Sequence, residues 1–415
     1  MKKLIIPTLL VLLLFAVTAT AGTIIGMRGD GTVVFIDDKK EEIVATVTTG
    51  EYGGAMGAIT PDGKKLYVAN NSKGYYTVSV IDITNRKLIK NLPTGPRPSH
   101  AYVSSNGKYV GVSHKNSENG NIVIAVIDAH GDYVKHRILL DLENDAYRGV
   151  VNAHQGWLGD GKHLLVPNWA DNVTHVIDAD AGKEVARLQH KGNPHQYSTT
   201  KDGKELWVSV DAVEDAAGKK VGCGQVDIYD IAAAGSPPST TAKQTLCIKV
   251  SENEAQKGHH TAITRDGKYA YAANDGLGKG SSVNVFHVKT KQRIAHINTG
   301  GKGPAHPFMS PDGKYVVMGQ VGGTTVTFID AKKHKIVKEL TVGTGKGVQW
   351  IAFTKDNKKA FVNNQSEDAI YVIDLKKMKV GKKIVTGAKD KMWKSQYHVL
   401  NGSYITYEVV DVNLD

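Results

Sequence analysis

Cysteine is nearly absent from this chain: there are two in 415 residues, Cys223 and Cys247. No Cys-x-x-Cys-His occurs, which excludes a covalently attached c-type heme. No His or Cys lies at close ligand spacing to either cysteine, which argues against a cysteine-built metal site. In an exported chain such a pair reads as a disulfide, and closing a loop of this size stabilises a fold by about 3 kcal/mol. Gly-x-Ser-x-Gly, a phosphate-cradling glycine loop and His-Glu-x-x-His are also missing. A serine-hydrolase elbow, a P-loop and a zincin site therefore have no support. Helical signals are almost absent, and after residue 17 no apolar run is long enough to cross a membrane.

The first residues read as an address. Lys2 and Lys3 precede the apolar run Leu4 to Val17, and Ala19-Thr20-Ala21 has the small-residue pattern of a cleavage site. The expectation is a signal peptide over 1–21 and one exported domain over 22–415, periplasmic or extracellular and not integral to a membrane. Loss of the two lysines takes the formal charge from +11 to +9. The lysines sit mostly in turns, which suggests a solvated surface rather than a nucleic-acid stripe. Such a surface steers toward acidic redox partners or anionic surfaces.

What the chain has in abundance is repetition. An apolar run, an Asp-Gly-Lys turn and a second apolar run recur at Asp62, Asn106, Asp160, Asp202, Asp266, Asp312 and, with Asn in place of Gly, at Asp356. Asp bonds the backbone ahead of it and Gly supplies positive φ, so each copy predicts a hairpin. A β-branched run ending in Asp interleaves with these turns, as in Val326-Thr-Phe-Ile-Asp330 and Ile370-Tyr-Val-Ile-Asp374. Those terminal aspartates read as turn caps rather than catalytic groups. Four short strands per repeat, at a period of about 42–54 residues, predict an all-β propeller of four-stranded blades. Seven turns open seven complete blades. The piece Thr23 to Val47 reads as outer strands, and the piece around Ser395 to Tyr407 as an inner hairpin. If the two termini share a blade, the count is eight; if they pack as a flap, it is seven.

The turns also set a register. Six residues before the turn residue stand Met56, His100, His154, Gln196, His260, His306 and Trp350, while His195 and His259 stand seven before. The innermost strands of a propeller line its axis, so these positions form a ring at one end of the channel. His100, His154, His195, His260 and His306 are the candidate cofactor-binding ring. His100, His154, His259, His260 and His306 are the candidate metal ligands, since imidazole suits copper, zinc and iron. Heme or copper are the cofactors such a ring would take, and a water-lined channel is the alternative. Neighbouring strand residues face opposite sides, so His195 and Gln196 both face the axis only if the strand starts irregularly. His114 and His175 lie elsewhere in their blades. His190, His287, His296 and His334 fall on outer strands or turns and read as surface residues. Trp157, Trp169, Trp207 and Trp393 read as inter-blade packing, and Trp350 as a residue of the channel mouth.

Between Asp202 and Asp266 the chain carries about 20 extra residues, and function concentrates in loops on a rigid scaffold. They include Ala232 to Thr241, bracketed by the two cysteines, and the stretch Ser251 to Gly258. Ser251, Glu252, Asn253 and Glu254 form the candidate partner loop.

Thr60-Pro-Asp-Gly-Lys-Lys-Leu-Tyr-Val-Ala-Asn70 resembles the repeat of YVTN-type propellers, and the resemblance covers nearly all of the chain after residue 21. Gly303-Pro-Ala-His306-Pro307 is also similar to segments of the d-heme propellers of cytochrome-type nitrite reductases, which are eight-bladed and exported. The c-heme domain of that enzyme is missing here, so the resemblance does not extend to nitrite reduction by this chain alone. A further similarity is to heme-free propeller subunits of periplasmic nitrogen-cycle complexes, such as the β subunit of hydrazine synthase. These resemblances imply a binding or scaffold subunit of a periplasmic redox complex. Its partners would be other subunits, c-type cytochromes among them, and the chain would not be catalytic alone. A heme- or copper-binding propeller with redox activity is the second reading. An adhesion or sensing propeller without cofactor is the third.

Overall fold

The computed structural model describes residues 22–144, 149–152, 154–214, 220–233, 235–248, 258–274, 281–300, 303–387 and 398–401. Local chemistry builds one hairpin at a time. In the blade that begins at Pro304–Met309, the chain turns and returns as Tyr315–Gln320. The Ser310 hydroxyl donates to Asp312 Oδ1 (2.8 Å), Asp312 Oδ1 accepts from the Lys314 amide (3.1 Å), and Ser310 Oγ accepts from the Tyr315 amide (3.0 Å). Gly313 sits at φ +68°, which glycine adopts at no steric cost, and Asn357 takes the same position in its sibling turn at φ +54°. The same hydroxyl-to-carboxylate bond joins Thr60 to Asp62, Thr200 to Asp202, Thr264 to Asp266 and Thr354 to Asp356. The working repeat is therefore Ser/Thr-x-Asp-Gly-Lys, one residue type longer than the pattern first read from the chain. The aspartates that end the third strands cap their turns as expected. Asp330 Oδ1, for example, accepts the amides of Lys332 and Lys333 at 2.9 and 2.8 Å.

Eight four-stranded antiparallel sheets result, one per blade of a closed propeller, and the seven-blade alternative is excluded. A two-stranded hairpin, Val213–Glu214 with Lys220–Val221, is added to one blade, and the described residues contain a single 3₁₀ turn, Gln365–Glu367. Blades stack face to face, so their middle strands are buried on both sides. Each junction then forms a small core of its own. At one of them Phe308, Val317 and Phe328 meet Trp350, Phe353 and Val362 of the next blade. Each such side chain contributes about 1.5–3 kcal/mol by leaving water.

The termini do share a blade, but not as the sequence pattern suggested. Thr23–Met27 is the second strand of that blade, followed by Thr32–Asp37 and Glu42–Thr48. His398–Asn401 supplies the innermost strand, paired Ile24↔Asn401 to Met27↔His398. The division is three strands from the N-terminal side and one from the C-terminal side. A three-strand meander forms locally through short turns, and one further strand covers its remaining edge. That strand prevents edge-to-edge association. A chain ending at residue 397 is expected to aggregate or to elute as oligomers in size-exclusion chromatography. A monodisperse, fully folded monomer of that chain would show that this strand does not close the ring.

Candidate imidazole centre at the axial mouth

The innermost strands do not start regularly. In one blade the pairing jumps from Gly258↔Asn274 to Thr261↔Ala272, so His259 and His260 together face Ala273. The next blade jumps from Pro304↔Gln320 to Pro307↔Met318, and a third from Pro194↔Val210 to Tyr197↔Val208. The His100 blade shows the same shift between Pro98 and His100. These are β-bulges, which set two residues against one and re-aim a side chain. The bulge lets His259 and His260 both reach the axis although they are neighbours. In the His195 blade it sends the two neighbours to different tasks. His195 lines the mouth. Gln196 ties its blade to the next, accepting the Thr261 amide at 3.0 Å. The residues opposite the bulges are small. At Gly319 a Cβ would stand 2.4 Å from the Val348 carbonyl oxygen.

All six histidines of the predicted ring meet, and all are buried. Ring centroids are 4.5 Å apart for His100–His154, 4.0 Å for His154–His195, 4.3 Å for His195–His259, 4.5 Å for His259–His260 and 4.1 Å for His260–His306. Four of them offer one nitrogen each within 4.8 Å of the others: His154, His195, His259 and His260. His195 thus joins the candidate metal ligands, while His100 and His306 flank the quartet. A tetrahedral ion with imidazole ligands needs nitrogens roughly 3.4 Å apart, a contraction of at most about 1.4 Å from the observed limit of 4.8 Å. Aromatic plates hold the rings: Trp350 stacks on His306 (4.3 Å) and Trp169 on His195 (5.6 Å). Trp169 Nε1 donates to the Pro194 carbonyl at 2.6 Å, which fixes the indole. The Ser99 hydroxyl lies 2.6 Å from His100 Nδ1.

The cavity over this cluster measures about 190 Å³, and its lining includes Met56, Lys115, Gln349 and both tryptophans. Lys115 and Trp169 were not singled out as site residues from the sequence. Both immediately follow the second strand of their blade, Tyr109–His114 and His163–Asn168. Aligning that position across blades would have found them.

Other placements differ from the sequence reading. His190 is buried rather than on the surface, with Nδ1 2.9 Å from Asp227 and Nε2 2.9 Å from Thr174 Oγ1. His114 and His175 are buried as well, the latter 2.7 Å from Glu184. His296 is exposed. Cys223 and Cys247 form the disulfide, at a Cα separation of 5.7 Å. Ser251, Glu252, Asn253 and Glu254 lie outside the described residues, as do Trp393 and residues 1–21; the flanking residues Ile248 and Gly258 sit at the mouth end of their blades. The opposite face is built of the Asp-Gly turns. Lys268, Lys314, Lys332, Lys333, Lys358 and Lys377 are exposed there on three consecutive blades; Lys268, Lys314, Lys358 and Lys377 lie 3.0–3.6 Å from their own turn aspartates.

The fold and the site together define an eight-bladed propeller that carries an imidazole cluster at one axial mouth. No family model matches the chain. The hydrazine synthase subunit beta of Kuenenia stuttgartiensis is 27% identical over 185 residues, 42% of this chain and 38% of that protein, so the match spans well under half of the relative's length. Among solved structures, the dihydro-heme d1 dehydrogenase NirN in complex with DHE aligns with TM-score 0.64 and 18% identity, covering 87% of this chain and 72% of that one. Apo AztD from Citrobacter koseri aligns with TM-score 0.63 and 15% identity, covering 92% and 98%. At these identities the structural likeness concerns the fold.

His114 gives a pH prediction. Burial pushes its imidazole down to about 4, against the hydrogen bond from Nδ1 to the Val123 carbonyl at 2.8 Å. A folded value below the unfolded one means that this contribution is complete above about pH 6.5 and is lost as pH falls toward 4. Acidification across that window should remove about 3 kcal/mol through this residue. Urea titrations at pH 7 and pH 4.5 should show a smaller acid loss for His114→Asn than for the parent chain. Equal losses would mean that other groups carry the acid sensitivity.

Proposed function

We propose that this chain is an exported propeller that holds a transition metal in its axial imidazole cluster and serves as a subunit of, or docking partner in, a periplasmic redox system. The observation that carries this reading is the convergence of His154, His195, His259 and His260 within 4.8 Å. A donor set of neutral nitrogens, with no thiolate available because both cysteines are paired, suits copper and zinc, and copper is the tighter of the two at such sites. The bound ion would act as a Lewis acid or a one-electron centre. The chain's own part is to pre-position the rings through the strand bulges and the tryptophan plates. His100 and His306 complete a second tier around the quartet. The mouth cavity, about 190 Å³, has room for an ion with its bound water.

The partner side of the reading rests on charge and on the relatives. The lysines of the turn face would receive an acidic protein surface, c-type cytochromes included. The similarity to a hydrazine synthase subunit supports assembly with other subunits. The export signal read at residues 1–21 agrees with such a setting.

Metal-depleted protein titrated with Cu(II), and separately with Zn(II), should take up one equivalent. His195→Ala and His260→Ala should each weaken binding by about 100-fold, of the order expected for a lost ligand. His296→Ala should bind as the parent does. No stoichiometric uptake, or unchanged affinity in the two ligand variants, would remove the metal from this reading and leave a scaffold propeller.

A further inference from the structure

The described lining of the mouth cavity contains cationic and neutral groups and no carboxylate: imidazoles, two indoles, Met56, Gln349 and Lys115. Lys115 is fixed there by its backbone. Its amide donates to the Arg97 carbonyl at 2.9 Å, and its carbonyl accepts the Val151 amide at 3.0 Å. Among the described residues its ammonium makes no salt bridge with a carboxylate. Arg97 adds a second positive charge nearby, and burial together with that charge holds the ammonium down to about 8. The group is therefore still mostly protonated at neutral pH. A partly buried cation without a counter-charge is costly, and the cost falls when an anion enters. Five imidazoles line the same space, and each neutral ring carries one N–H that can donate to an anion.

We infer that the mouth cavity is a receptor for a small inorganic anion, held between the Lys115 ammonium and the imidazole cluster. The volume, about 190 Å³, matches an anion of a few atoms with water, given roughly 30 Å³ per water molecule. The inference deepens the metal reading without needing it. A divalent ion on neutral imidazoles would add two uncompensated charges and strengthen the demand for an anion. In the metal-free protein Lys115 and Arg97 create the demand alone. Lys115 is a binding residue here, reaching the ligand from the end of the second strand, while the histidines approach from the first.

Azide is the probe, because its infrared stretch reports binding with or without metal. It would be titrated into metal-depleted protein and into zinc-titrated protein, with zinc stoichiometry measured separately. One charge-assisted hydrogen bond implies that Lys115→Met weakens azide by about tenfold or more, and Lys115→Arg should restore most of the affinity. Circular dichroism melts confirm that both variants are folded. If azide binds Lys115→Met as well as it binds the parent in both preparations, or binds the parent in neither, the inference is overturned. If zinc does not bind, the copper titration decides the metal reading and the metal-depleted titration alone decides the anion site.

Discussion

The irregular start of the innermost strands is the constraint on which the rest depends. Ring closure brings eight such strands to one axis, and a regular strand would present alternate side chains to that axis. The bulge at Gly258–Thr261 breaks the alternation and aims both His259 and His260 inward. In the His195 blade it separates an axial imidazole from an inter-blade tie through Gln196. The residues opposite three of these bulges are small, Ala273, Ser209 and Gly319, and at Gly319 it is the Val348 carbonyl of the next blade that leaves no room for a Cβ. The imidazole cluster is thus a product of backbone geometry as much as of histidine content.

Burying six imidazoles together works only because their surroundings are prepared for them. Trp350 and Trp169 supply flat faces against which two of the rings stack, and offset aromatic contacts of this kind add about 0.5–1.5 kcal/mol beyond burial alone. The lining lends no negative charge among the described residues, and Lys115 adds a positive one. Elsewhere the fold handles buried histidine differently: His190 meets Asp227 and His175 meets Glu184. The contrast separates histidines that face a carboxylate inside the fold from those gathered at the mouth, where the described lining holds none.

Much of this was legible in the chain. Asp312-Gly-Lys314 and its siblings marked the hairpins, because only a few residue types tolerate that turn, and the blades followed from their number. The register of His100, His154, His260 and His306 brings their rings close together, at 4.5 Å for His100–His154, 5.1 Å for His154–His260 and 4.1 Å for His260–His306. The choice between His195 and Gln196 was not legible, since a bulge leaves no mark in side-chain periodicity. Lys115 and Trp169 escaped notice because they follow the second strand, a position that no turn motif flags. His190 was misplaced for a related reason. Its outer position suggested solvent, but its partner Asp227 lies 37 residues away in sequence, in the neighbouring blade. The division of the closing blade was also misjudged, because three short strands in sequence resemble the outer part of a blade as closely as its outer three-quarters.

The central claim is that the axial histidines form one ligand set. X-ray absorption at the copper edge of the singly loaded protein tests it most directly. The account predicts a first shell of nitrogen at about 2 Å, with the outer-shell scattering of three or four imidazoles. A shell dominated by oxygen, or one with a single imidazole, would place the ion elsewhere and contradict it.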